Sequence, residues 1–394
     1  MATEGGHSIT HLSVKQTQEK QLSLTIDEHS FKLPELPFEL ILEILLRVPV
    51  NSLIRFKSVC KSWQTMISNP QFVKKHLNLV IMDDTFKSWR IIVRYPHHEL
   101  KSYSLDSLCH EPYGFAAVDL DYPSKTMPRD MKIVGSCNGL VCIYFRELID
   151  TFYIWNPSTR ETHFLSAFEK KHIGGTSFGF GYDSSNDDYK VVRVYYVGDQ
   201  LEVEVYSLRK DSWRRIGDFP SILTRYYVGV GKLLGGSILW IATNPSNNSS
   251  LITALDLSEE TYREIPQPNY ESRITYLSLI VLKGCLCIVC EDAYFSFHLW
   301  AMNEFGIKES WTKLTTLPYL PGHAPFQYPE PMWCFKDGVI LVNINGVFGI
   351  YDHVEHTLKY PLLHGTLPFY QAHIYVESLV SPNAFTKGPA DLNQ

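Results

Sequence analysis

The stretch LPFELILEILLRVPVNSLIRFKSVCKSW, residues 36–63, carries apolar side chains at helical spacing. A first helix is expected to begin next to Pro37, because a proline in a first helical turn leaves no hydrogen bond unmade. Its apolar side would consist of Leu40, Ile41, Ile44, Leu45 and Val48. Pro49 is expected to end this helix, since the residue before a proline disfavours the helical conformation.

The chain around and after this stretch predicts more short helices. Two of them would have apolar sides made of Leu53, Phe56 and Val59, and then of Trp63, Met66 and Ile67. Asn69-Pro70 is typical of a capped start for a fourth helix through His76. So small a helical unit rarely buries enough apolar surface to be stable alone. Its remaining apolar faces therefore indicate a docking partner.

This segment resembles an F-box, in the form common in plant F-box proteins. The matching residues are Leu36-Pro37, Glu39-Leu40, Glu43-Ile44-Leu45, Arg47, Pro49, Ser52-Leu53, Arg55-Phe56, Val59-Cys60-Lys61 and Trp63. The resemblance implies binding to the Skp adaptor and, through it, to the cullin and RING subunits of an SCF ubiquitin ligase. The implied Skp-binding residues are Leu36, Pro37, Leu40, Ile44, Leu45, Leu53, Val59, Cys60 and Trp63. The alternative is a plain helical subdomain that packs on the rest of the chain.

Length, charge and composition exclude several classes of protein. The 394 residues have room for two domains, and the net charge of −6 argues against a general binder of nucleic acid or anionic membranes. No apolar run reaches the roughly 18 residues of a membrane span, and the N-terminus lacks a signal-peptide core. The eight cysteines are scattered along a long chain, which favours a reducing compartment, cytoplasm or nucleus.

The chain divides into four segments that differ in composition and in the pattern of apolar residues. Residues 1–30 are polar and predict a disordered N-terminal segment, and residues 31–77 form the F-box-like unit. From 78 to 381, short Val, Ile, Leu, Tyr and Trp runs alternate with turn residues, as in a strand-rich domain. Residues 382–394 predict a disordered tail.

The strand-rich part repeats with a period near 50 residues. A large apolar residue followed by a small or polar one recurs at Tyr103-Ser104, Trp155-Asn156, Tyr206-Ser207, Leu255-Asp256, Trp300-Ala301 and Tyr351-Asp352. A second element follows seven residues later in most copies, at Thr162, Trp213, Tyr262 and Leu358, whereas Trp311 lies eleven residues on. Turns with glycine precede four of the six copies, as at Asn138-Gly139 and Lys283-Gly284.

Six such units predict a β-propeller of six kelch-like blades, each a small antiparallel sheet. The first unit, from Leu79 to Leu105, holds only three predicted strands, and one apolar strand, Ala372 to Val380, is left over at the C-terminus. We expect this last strand to complete the first blade and close the ring, because closure removes an open sheet edge. The fold expected is therefore a small all-α F-box domain followed by an all-β propeller.

The propeller region also resembles the F-box-associated domain of plant F-box proteins. The resemblance rests on residues 133–140 (IVGSCNGL), 154–160 (IWNPSTR), 178–183 (FGFGYD) and 188–192 (DYKVV). The paired glycines of a true kelch repeat are absent from most units, which leaves the blade number open by one.

Candidate reactive groups favour structural roles. Cys285, Cys287 and Cys290 have spacing that zinc could use, but they lie in an apolar run typical of a buried strand. The loop with Asp183, Asn186, Asp187 and Asp188 lacks the glycine and glutamate of a calcium loop and favours a turn. Since no catalytic or phosphate-binding motif is found either, no catalytic, cofactor-binding or metal-binding residue is predicted.

The loops between blades are rich in aromatic residues, which concentrate at interface hot spots. The residues predicted to bind a target protein are Tyr226, Tyr227, Tyr270, Tyr319, Phe326 and Tyr328. The leading hypothesis is a non-catalytic substrate-recognition adaptor of an SCF ligase that promotes ubiquitination and degradation of this target. The alternatives are a ligase-independent protein-binding propeller and, less favoured, an enzyme with a propeller active site.

Overall fold

A computed structural model shows a helical N-terminal region followed by six small sheets. The structure describes residues 36–83, 85–96, 99–110, 116–123, 131–146, 151–165, 176–222, 229–244, 246–247, 249–317, 328–335, 338–361 and 368–384. The chain up to Glu43 and the chain from Ile44 onwards form two compact units.

The helical region contains four helices, α1 (Phe38–Leu45), α2 (Val50–Phe56), α3 (Lys61–Ser68) and α4 (Pro70–Met82). The carbonyl oxygen of Pro37 accepts the amides of Leu40 and Ile41, so α1 begins next to Pro37 as predicted. The predicted cap of α4 is also confirmed, because the Asn69 side chain accepts the Gln71 amide at 2.8 Å.

The predicted end of α4 is wrong. The helix continues six residues beyond His76 to Met82, and the first strand begins at Trp89 instead of Leu79. Leu77 is buried in the same hydrophobic cluster as residues of the sheets. Burial of its apolar side against the sheets favours continuing the helix, a tertiary contact that local spacing does not report.

Twenty-four strands follow in the described part of the chain. They are β1 (Trp89–Arg94), β2 (Leu100–Ser104), β3 (Val118–Asp119), β4 (Met131–Cys137), β5 (Leu140–Phe145), β6 (Thr151–Trp155), β7 (Thr162–Phe164), β8 (Thr176–Asp183), β9 (Asp188–Val197), β10 (Gln200–Ser207), β11 (Ser212–Asp218), β12 (Lys232–Leu234), β13 (Ser237–Thr243), β14 (Ser250–Asp256), β15 (Tyr262–Ile265), β16 (Ile274–Leu282), β17 (Cys285–Asp292), β18 (Phe297–Met302), β19 (Trp311–Leu317), β20 (Glu330–Cys334), β21 (Val339–Ile344), β22 (Val347–Asp352), β23 (Thr357–Lys359) and β24 (Gln371–Val376). A helix, α5 (Leu105–His110), follows β2.

These strands form six four-stranded antiparallel sheets, which confirms the six-bladed propeller. The orders are β24-β1-β2-β3, β4-β5-β6-β7, β8-β9-β10-β11, β12-β13-β14-β15, β16-β17-β18-β19 and β20-β21-β22-β23. We number the blades one to six in that order. As predicted, the C-terminal strand closes the ring, and it pairs with β1 through registers such as Ile91 opposite Ile374. The prediction of three strands between Leu79 and Leu105 is wrong, because only β1 and β2 lie in the described part of that range and β3 follows α5. The closing strand is also shorter than predicted and ends at Val376 instead of Val380.

The repeated sequence elements occupy equivalent places in the blades. The two elements seven residues apart face each other across the third and fourth strands, as in Trp155 opposite Thr162 and Tyr206 opposite Trp213. In the fifth blade a 3-10 turn at Lys308–Ser310 lengthens this connection, and Trp311 therefore pairs with Met302.

The two faces of the propeller carry different connections. Because successive strands are antiparallel, the turns between first and second strands lie on one face, here called the lower face. The loops between blades and the hairpins between second and third strands lie on the other, the upper face. The Asn51 amide contacts Glu377, just after β24, at 3.5 Å, and Lys74 approaches Asp187 of the β8–β9 turn at 4.0 Å. Helices α2 and α4 therefore contact the lower face.

Candidate protein-docking surfaces

The start of the helical region presents apolar side chains to solvent. Leu36 is 54% exposed and Leu40 50% exposed, and Pro37 beside them is exposed as well. Phe38 is 59% exposed, although it was not among the predicted Skp-binding residues. The sequence could have indicated Phe38, because it is a large apolar residue between the predicted docking residues Pro37 and Leu40. It was left out because it does not belong to the series of apolar residues at helical spacing that starts at Leu40.

From Ile44 onwards the predicted Skp-binding residues divide into two groups. Ile44 and Val59 are 53% and 61% exposed, and Cys60 is exposed too. Leu45 and Leu53 are buried, so they support the helices and any effect they have on a partner is indirect.

Two further residues stabilise this helical core. Trp63 is half-buried, and its ring lies 5.5 Å from that of Phe56. The buried His76 ring contacts the Val48 carbonyl oxygen through Nε2 at 2.9 Å, and burial lowers the pKa of this histidine. The connection between α1 and α2 is thereby tied to α4.

Four of the six predicted target-binding residues lie outside the described residues: Tyr226, Tyr227, Tyr319 and Phe326. The other two, Tyr270 and Tyr328, lie in the loops that lead to β16 and β20, on the upper face. The Tyr270 hydroxyl donates to Gln267 Oε1 at 3.0 Å, and burial raises the pKa of this phenol. The Tyr328 ring stacks on Tyr276 with centroids 3.7 Å apart.

A cleft of about 410 Å³ opens beside these two tyrosines. Its lining residues are Ser250, Gln267, Tyr270, Ser272, Ile274, Thr275, Tyr276 and Leu277. Tyr270 forms part of the wall, and Tyr328 stacks on the lining residue Tyr276. Of the two predicted residues that the structure describes, one therefore lines the cleft and the other contacts a lining residue.

The hairpin between β17 and β18 was missed by the sequence analysis. It exposes Tyr294 and Phe295 on the upper face, at 81% and 68%. The analysis considered only loops between blades, whereas these residues join two strands within a blade. The signal available was an aromatic pair that follows the polar residues Glu291-Asp292 after one alanine, at the end of an apolar strand.

The innermost strands of all six blades enclose a central channel with a cavity of about 210 Å³. Lys232 and Glu330 form an ion pair across it at 3.6 Å. His373 also lines it, and burial together with nearby Lys232 and Lys132 lowers the pKa of this histidine to about 4 despite the opposing charge of Glu330. The ring is consequently neutral near pH 7.

The cysteines of β17 pack in the hydrophobic core, as expected for a buried strand. Cys287 and Cys290 pack into two different hydrophobic clusters on opposite sides of the sheet. Burial raises the pKa of Cys287 to about 12 and that of Cys290 to about 11, so both remain protonated thiols. In the described residues, no group of three or more His, Cys, Asp or Glu side chains is arranged to hold a metal ion.

The aspartate-rich loop after β8 is a turn stabilised by hydrogen bonds. Asp183 accepts the amides of Ser185 and Asn186 at 3.0 and 3.1 Å, and it pairs with Lys190 at 2.8 Å. This arrangement confirms the turn interpretation.

Family models match both parts of the chain. The F-box domain matches residues 33–75, and the F-box associated beta propeller domain matches residues 114–381. The chain belongs to the F-box proteins with an F-box-associated β-propeller. Both resemblances noted in the sequence are therefore confirmed. In the described part of this F-box protein, no helix is long and apolar enough to cross a membrane.

Relatives of this F-box protein are found in Arabidopsis thaliana. An F-box/kelch-repeat protein is 32% identical over 88% of this chain and 96% of its own. F-box protein CPR1 is 29% identical over 88% of each chain. Among solved structures, TolB from Acinetobacter baumannii matches with a TM-score of 0.46 and 12% identity, over 77% of this chain and 70% of that chain.

Proposed function

We propose that this F-box protein is the substrate-recognition subunit of an SCF ubiquitin ligase, which binds Skp through the F-box and a target protein through the upper face of the propeller. Its domain content and its F-box relatives support an SCF adaptor role in general. Ubiquitination and degradation of the bound target by the other subunits are the expected result.

The observation that carries the proposal is that helix α4 and the propeller share one hydrophobic core. Leu77 is buried with Leu140, Leu208 and Val376, and Val73 and Val80 of the same helix pack against this cluster. Because these contacts are on the lower face, the described residues of the upper face remain available to another protein. A target held there would be presented in a fixed orientation relative to α4, which is what transfer by proximity requires.

We also infer that the protein itself is not catalytic. Its buried charged groups have structural partners, such as Lys190, which pairs with Asp183 at 2.8 Å and with Glu260 at 3.2 Å. Such pairing stabilises the charges and makes them poor acids, bases or nucleophiles. The cytoplasm or nucleus is the proposed location, and the seven cysteines whose side chains the structure describes are all free thiols, which suits a reducing compartment.

Co-purification and target turnover test this function together. The full-length protein, expressed in plant cells, is expected to co-purify with Skp and cullin, and proximity labelling should identify proteins whose half-lives lengthen when Leu36 and Pro37 are replaced by Ala. Co-purification without Skp or cullin would favour a ligase-independent binding propeller. Turnover of a small molecule by the purified protein would contradict the non-catalytic assignment.

A further inference from the structure

The hairpin between β17 and β18 exposes two adjacent aromatic side chains. Tyr294 is 81% exposed, the largest fraction among the large hydrophobic residues that the structure describes, and Phe295 follows at 68%. Exposed apolar groups side by side mark interaction sites more often than isolated ones do. Tyrosine is also enriched among the residues that dominate binding energy.

The turn is held in one conformation by Asp292. One carboxylate oxygen accepts the amides of Tyr294 and Ser296 at 2.8 and 2.9 Å, and the other lies 3.0 Å from His298 Nε2. Burial alone would raise the pKa of Asp292, but these hydrogen bonds together outweigh burial. The pKa is therefore lowered from its usual value, and the carboxylate stays charged. A rigid turn loses little entropy when a partner binds.

Phe295 occupies the left-handed position of this turn. Its φ angle is +62°, in the left-handed region that bulky side chains rarely adopt. Other hairpin turns of this protein place a residue in the same region, among them Arg160, Asp187 and Glu260, so the conformation identifies a tight turn. What distinguishes this turn from the others is that it leaves two adjacent aromatic side chains largely exposed.

The cleft on the upper face adjoins this hairpin. Thr275 lines the cleft, and its hydroxyl donates to Glu291 Oε2 at 2.8 Å, next to Asp292. The cleft offers hydroxyl, amide and phenol groups that can bond main-chain amides, and its 410 Å³ is in the range of clefts that enclose small ligands. Its size suits a short segment of chain instead of a folded domain.

The charges around the cleft carry both signs. Glu271 lies 3.8 Å from Lys313, and the exposed Arg273 stands in the chain between two residues that line the cleft, Ser272 and Ile274. Neither sign dominates, so an acidic or basic segment would gain little here. An uncharged segment matches this rim best.

We propose that the hairpin Asp292–Ser296 and the adjoining cleft bind an extended, uncharged segment of the target protein that carries a bulky apolar side chain. That side chain packs on the rings of Tyr294 and Phe295, and the main chain beside it hydrogen-bonds with the cleft. This inference rests on the proposed function and specifies which part of the upper face recognises the target.

A phage-displayed library of random dodecapeptides, selected on the full-length protein, tests this site. The enriched peptides should be uncharged and carry a bulky apolar residue. Their affinity should fall about tenfold or more for the Tyr294→Ser/Phe295→Ser variant. The matched control is Phe164→Ser/Tyr360→Ser, which changes one exposed Phe and one exposed Tyr in other blades and should leave affinity unchanged. Both variants should keep the wild-type melting temperature.

Several results would overturn the inference. These are no enrichment, enrichment of charged peptides, or equal peptide affinity for both double variants. A dimer of the wild-type protein that becomes monomeric in the hairpin variant would instead assign the rings to self-association. Skp affinity is measured on the same samples. If the protein binds Skp but the peptide results contradict the site, only this inference is wrong. If the protein does not bind Skp, the proposed function itself is contradicted.

Discussion

Asn156, at the end of β6, donates its side-chain amide to the main-chain carbonyl oxygen of Val380 at 2.7 Å. The same amide also reaches the carbonyl oxygen of Ser378 at 3.0 Å. The side-chain oxygen of Asn156 accepts the amide of Ser158 at 2.8 Å, which forms the turn to β7. One buried residue of the second blade therefore fixes both its own turn and the segment that follows the closing strand.

Replacing Asn156 by Ala should destabilise the propeller by about 1–3 kcal/mol, because buried carbonyl groups would lose their donors. Chemical denaturation of the full-length protein measures this change. The matched control is Asn303→Ala, since the Asn303 amide bonds Thr312 on an exposed surface at 3.3 Å. Surface changes of this kind usually stay within about 0.5 kcal/mol. Equal effects of the two substitutions would contradict the role of Asn156 in ring closure.

Removing all residues after Gln371 should lower the melting temperature of the whole propeller. The deletion takes away β24, which pairs with β1 and contributes Ile374, whose carbonyl oxygen accepts the Ser136 hydroxyl. It also exposes a strand edge. The control deletion begins after Ala384, because Asn383 still contacts His163 at 3.3 Å. If both truncated proteins melt at the same temperature, the closing strand contributes nothing to stability.

Leu77→Ala should weaken the attachment of α4 to the propeller. The side chain is 6% exposed within a shared core, and truncation of such a residue typically costs about 2–5 kcal/mol. Leu79→Ala is the matched control on the same helix, since Leu79 is 43% exposed. Differential scanning calorimetry should show a lower or divided transition for the first variant alone. An unchanged single transition in Leu77→Ala would mean that α4 and the propeller do not share a core.

His373 predicts a pH dependence of stability. Its pKa in the folded protein is about 4, below the value of about 6.5 for an unfolded chain. The folded state therefore binds fewer protons, and stability that is present above pH 6.5 should be lost as the pH falls towards 4, by roughly 2–3 kcal/mol. Lys132, Lys232 and Glu330 are the charged groups that act on this ring. His373→Gln should flatten the dependence in this window, and identical curves for the two proteins would contradict the prediction.

The sequence predicted the propeller because its repeats coincide with the blades. Leu255 and Tyr262 are seven residues apart and pair directly across β14 and β15, as a fixed third-to-fourth strand connection requires. The turns that contain glycine could also be predicted, because they depend on local backbone conformation. At Gly139, φ is +84° and an added Cβ would overlap Ser378, so both the turn and the close approach of the closing segment require glycine.

Features that depend on distant contacts were less predictable. The extension of α4 to Met82 depends on burial against blades that are remote in sequence, and the spacing of its residues did not reveal it. The docking residues divide similarly, since Leu53 and Val59 both fit a helical apolar pattern but only Val59 is exposed. The Tyr294–Phe295 hairpin was missed because its significance comes from exposure, which a local pattern does not encode.

The affinity of the purified full-length protein for purified Skp tests the central claim most directly. Titration calorimetry should detect a stable complex. Leu36→Ala/Pro37→Ala, which truncates a half-exposed apolar residue and its exposed neighbour, should weaken it at least about tenfold, or about 1.4 kcal/mol. Leu314→Ala, a change at a similarly exposed leucine of the propeller, should leave the affinity unchanged. An undetectable complex for the wild-type protein, or equal affinities for all three proteins, would contradict the assignment of this F-box protein as an SCF adaptor.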